Sequence, residues 1–127
     1  MDRSVLVGVD FRTGERVVAA LETNGLPLAV APWVHFPEYE DLRFVVASRK
    51  LDPLSLGDAY LRVNRALDEG GVTVWEAPAM FVMKTTDPFV RELRKVYRKF
   101  PSVSGMRMGG QRWGDRVIDD AYAYRIA

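Results

Sequence analysis

Apolar positions recur at spacings of three and four in two stretches of the chain and alternate with polar ones in several others. Leu56, Tyr60, Val63 and Leu67 form one stripe of helical period, opened by Asp52-Pro53 or by Ser55 and closed by Gly70-Gly71. Phe89, Val90, Leu93, Val96, Tyr97 and Phe100 form the second. Asp87-Pro88 starts that helix, because an Asp side chain accepts from free N–H groups and Pro fits the first turn, and Pro101 ends it.

The alternating stretches predict strands. Leu28 to Phe36 and Leu42 to Ser48, joined by residues 37–41, form a hairpin. Pairing Phe36 with Leu42 puts Val34, Phe36, Leu42, Phe44 and Val46 on a core face. The other face then carries Ala29, Ala31, Trp33, His35, Arg43, Val45 and Ala47, and Pro32, which has no N–H for a ladder, points to an edge strand. Arg116 to Ile126 is a last strand with Ile118, Tyr122, Tyr124 and Ile126 on one side, while Val72–Trp75 and Met80–Met83, interrupted by Pro78, make one broken strand or two small ones. Residues 4–9 suit a short first strand. Thr13 suits the N-cap of a helix over 14–22 that stops at Asn24-Gly25, with a hairpin through Arg12–Glu15 as the alternative.

This order predicts an α+β fold, a mainly antiparallel sheet with two or three helices packed on one face. The 127 residues suit one domain over 1–127, and no linker-like stretch or repeat divides them. With 48% hydrophobic and 28% charged residues, the chain lies far from the composition of disordered proteins.

Three passages, Trp33 to Pro37, Leu42 to Ser48 and Ile118 to Ile126, resemble segments of an uncharacterised family of short bacterial proteins. The resemblance spans most of the chain and implies no activity.

Composition narrows the chemistry. The absence of Cys excludes disulfides, thiolate nucleophiles and Cys-based metal sites, and His35 is the only imidazole, so neither a metal nor another cofactor is expected. The start of the chain offers too few apolar positions before a charge for a signal peptide or a spanning helix, so no membrane contact and a cytoplasmic location are expected. His35 would need an orienting partner and a cleft to act as a base, and Glu38, Glu40 and Asp41 match no calcium-loop spacing. Asp120 falls on the apolar face of the last strand by alternation, where a desolvated carboxylate would be a site candidate. No catalytic residue is assigned.

Charge is uneven. The net value is only +1, yet Lys84 to Arg116 holds nine Lys and Arg against three Asp and Glu. Arg91, Arg94, Lys95 and Arg98 follow i, i+3, i+4, i+7 and share one helix face. Residues 105–114 hold four of the ten glycines together with Arg107, Arg112 and Trp113, which predicts a loop suited to a phosphate or a stacked base, or a hairpin turn with Gly109-Gly110 at its tip. Trp33, His35 and Arg43 form a second candidate patch.

The expected function is a small non-enzymatic binding or adaptor module that engages a protein partner or its own copy. The alternatives are a nucleic-acid-binding accessory domain using helix 88–100 and loop 105–114, and an enzyme on a small anionic substrate with Asp120, His35 or Arg112 in a cleft.

Overall fold

A computed structural model of the chain describes residues 11–37, 42–73, 75–97, 106–114 and 116–126. Their elements run α1 (Phe11–Thr23), β1 (Val30–His35), β2 (Arg43–Val46), α2 (Leu56–Glu69), β3 (Met80–Val82), α3 (Pro88–Tyr97), β4 (Met106–Trp113) and β5 (Arg116–Ile126). The strands form one sheet in the order β3-β2-β1-β5-β4, antiparallel except for the β2–β3 pair. The fold is α+β with a mainly antiparallel sheet.

Helices cover both faces of that sheet. Val17, Ala20 and Leu21 of α1 and Ala59, Val63, Ala66 and Leu67 of α2 pack with Ala31, Trp33, Phe44, Val46 and Tyr124 in one apolar cluster. Phe89, Val90 and Leu93 of α3 pack with Val30, Val34, Val45, Ala47, Ile118, Ala121 and Ala123 in the other. Two helices thus share one face, and α3 has the opposite face to itself.

The helix ends follow the capping signals. Ser55 is the N-cap of α2, its hydroxyl accepting from the Asp58 N–H at 3.2 Å, and Gly70 closes the helix with its N–H on the Ala66 carbonyl at 3.0 Å. Asp87 Oδ1 accepts from the Phe89 N–H at 2.9 Å at the start of α3. In α1, by contrast, Thr13 lies inside the helix, which is already formed at Phe11 and leaves no place for a hairpin through Arg12–Glu15. The expected strand over 4–9 lies outside the described residues.

Five expectations about the sheet are corrected. In β1–β2 the register is Trp33↔Phe44 and Val34↔Arg43, one residue from the Phe36–Leu42 pairing. A one-residue slip reverses every side chain of one strand, so Phe44 and Val46 join Trp33, and Val45 and Ala47 join Val34 and Phe36. Both faces of the hairpin are buried, so neither register leaves an apolar residue in water and the pattern alone does not choose. Pro32 belongs to a central strand, paired on both sides, and lies at a bulge where the β1–β5 register shifts between Ala31 and Pro32. A bulge tolerates the missing N–H as an edge does.

Val72–Trp75 forms no strand among its described residues; Trp75 is in a turn and 93% exposed. Residues 106–113, expected as a loop or turn, form the eight-residue strand β4, and the tip of the β4–β5 hairpin lies at Gly114 rather than Gly109-Gly110. In β5, Ile118 clusters with Ala121 and Ala123 on the α3 side, whereas Tyr122 and Tyr124 pack on the other, so the expected alternation breaks between Ile118 and Ala121. Gly109 pairs with Asp120 within that break, and a glycine inside a strand allows such a bend.

Candidate functional site

The sequence of α3 separates an apolar from a basic side, and burial follows it. Phe89, Val90 and Leu93 are fully buried against the sheet, while Arg91 and Lys95 are exposed and Arg94 is half-buried. Arg94 and Lys95 lie in the last turn, where free carbonyls favour cations. An open concavity of about 470 Å³ is lined by Pro88, Arg91, Glu92, Arg94, Lys95 and Gly114. Three cations face one carboxylate there.

Gly114 builds the far wall of this hollow. Its φ is +63°, and a Cβ on it would come within 2.5 Å of the Pro88 carbonyl carbon and 2.7 Å of the Phe89 nitrogen. The tip of the β4–β5 hairpin therefore abuts the first turn of α3 backbone to backbone, which a bulkier residue would prevent. The hairpin also brings Arg112 to an exposed position on β4.

At its other side Arg94 lines a second open hollow, of about 180 Å³, together with Pro27, Leu28, Ala29 and Arg49. Arg49 is exposed and stands on a turn that follows β2. Buried Ser48 anchors that turn, its hydroxyl accepting from the Lys50 N–H at 3.2 Å and its carbonyl from the Leu51 N–H at 2.9 Å. Sequence reasoning passed over Arg49 and had Gly114 only as the end of the candidate loop 105–114. Neither lies on a periodic face, and only the crossing of α3 over the sheet brings them to it.

The other sequence candidates are dispersed. Arg98, with Glu38, Glu40 and Asp41, lies outside the described residues, and Arg107 and Trp113 are placed on β4 by backbone only. Trp33 belongs to the core and not to a surface patch: it is 8% exposed, its Nε1 donates to the Tyr124 hydroxyl at 3.2 Å, and its ring meets Phe44 edge-on at 5.1 Å. His35 and Arg43 are half-buried at the end of the sheet where the Arg116 guanidinium carbon lies 5.5 Å from the Phe36 ring centre and 5.4 Å from that of Phe81. His35 is the cross-strand partner of Asp120, whereas Arg112 pairs with Val117 further along the β4–β5 hairpin.

Among the described residues no group of three or more His, Asp or Glu side chains could hold a metal ion, and no helix is long and apolar enough to cross a membrane. No family model, curated protein or solved structure matches the chain, and the chemistry of the α3 face follows from its own residues.

Proposed function

We propose that the chain is a small non-enzymatic binding module of the cytoplasm that holds an anionic macromolecule against α3. The observation that carries this reading is the hollow in which Arg91, Arg94 and Lys95 outnumber Glu92 and which the Gly114 turn closes at one end. A concave basic surface focuses its field and raises the rate of encounter with an acidic partner. Purified protein should therefore be retained on immobilised heparin and elute only at raised salt. The double variant Arg94→Glu, Lys95→Glu should elute well earlier while keeping the circular dichroism spectrum of the parent. Equal elution of the two would overturn the reading.

A second reading, association with a protein or with another copy, is favoured by one observation, the 93% exposure of Trp75. An exposed indole offers a large rigid contact at small entropic cost. Sedimentation of the parent and of Trp75→Ser at high concentration tests it, self-association lost in the variant being the supporting result.

A further inference from the structure

We infer that the anionic partner is a nucleic-acid backbone and that Arg49, with Arg94, holds its phosphates beyond the α3 face. This rests on the proposed α3 binding reading and narrows it to one class of partner. Arg94 lines both hollows, so the basic surface does not end with the helix; it continues over Arg94 to Arg49, on a separate element. Arg49 is held there by a built turn, since Ser48 accepts from two backbone N–H groups and the Asp52 N–H donates to the Arg49 carbonyl at 3.3 Å.

The lining argues for phosphates over a protein surface. Stable protein interfaces centre on exposed aromatic or large apolar anchors. Leu28 is the one large apolar residue among the described lining of the two hollows, and it is buried. The exposed Leu56, Leu61 and Trp75 line neither hollow. What remains is four cations and the single carboxylate of Glu92 beside Pro, Gly and Ala backbone, a net positive surface that suits a line of phosphates. Arg91, Arg94 and Lys95 on α3 and Arg49 beyond it supply four cations, enough for one phosphate each. Cations that meet phosphates read no base edge, so the binding is sequence-tolerant.

The test is a polarisation titration of a fluorescein-labelled 20-base-pair duplex across several salt concentrations. Four phosphate contacts predict a log–log salt slope of about −3.6 for the parent. Arg49→Ala should weaken binding and make that slope shallower by about 0.9. Lys50→Ala removes the same charge from the next residue, which lines neither hollow, and should leave the slope unchanged. Equal effects of the two variants would overturn the inference by reducing Arg49 to net charge. Absence of duplex binding, with poly-glutamate retained and released by Arg94→Glu, Lys95→Glu, would overturn it while leaving the α3 reading standing. Failure to bind either polymer would overturn both.

Discussion

The Trp33 indole and the Tyr124 phenol meet inside the core, Nε1 donating to the hydroxyl oxygen at 3.2 Å across 91 residues of sequence. Phe44 packs against both rings, at 5.1 Å from Trp33 and 5.8 Å from Tyr124, so the three form one aromatic unit joining β2, β1 and β5. Tyr124→Phe keeps the ring and removes the acceptor, leaving a buried N–H unsatisfied. The expected loss is ~1–3 kcal/mol by chemical denaturation. Trp33→Phe in the Tyr124→Phe background should then cost less than Trp33→Phe alone, because the two lose the same bond; strictly additive losses would separate them.

Two glycines with positive φ provide a matched pair. Gly71 (φ +83°) has open space where a Cβ would stand, whereas Gly114 (φ +63°) has the Pro88 carbonyl at 2.5–2.6 Å. Gly71→Ala should cost ~1–2 kcal/mol for the left-handed backbone alone. Gly114→Ala should add ~1–3 kcal/mol of overpacking and push the hairpin tip off α3. Equal losses in denaturation would mean that the turn does not touch the helix.

Leu93 is fully buried on the α3 side of the sheet, and Leu93→Ala should destabilise by ~2–5 kcal/mol. Trp75→Ser, at the most exposed aromatic position described, should change stability by no more than ~0.5 kcal/mol. Urea melts of the two variants side by side check the assignment of core and surface together.

What could be read in advance divides along physical lines. α2 and α3 were legible because Ser55, Gly70 and Asp87 act locally, and their apolar stripes show which face packs, except at Leu56, which opens α2 and is 66% exposed. The β1–β2 register was not, because Trp33 and Val34 are both buried and alternation carries information only where one face meets water. β4 was hidden by its own composition: Gly109 and Gly110 resemble a turn, yet the strand is specified by its partner β5. The α3 row was visible as helical spacing, while Arg49 reaches it only through the tertiary fold.

Val82 donates its backbone N–H to the Tyr60 hydroxyl at 3.1 Å, while its neighbour Met83 donates to the Val46 carbonyl of β2 at 2.9 Å. Backbone groups of successive residues in a strand point to opposite sides, so the Val82 N–H is directed away from β2, where α2 has already taken it. The two ends of the described sheet therefore differ: an N–H on the β3 edge is taken by a helix side chain, and β4 is the edge strand at the other end. Among the described residues, a strand adding to β3 would have to displace the Tyr60 hydroxyl from the Val82 N–H, whereas β4 meeting β4 of another copy would be a closed twofold contact that ends at two.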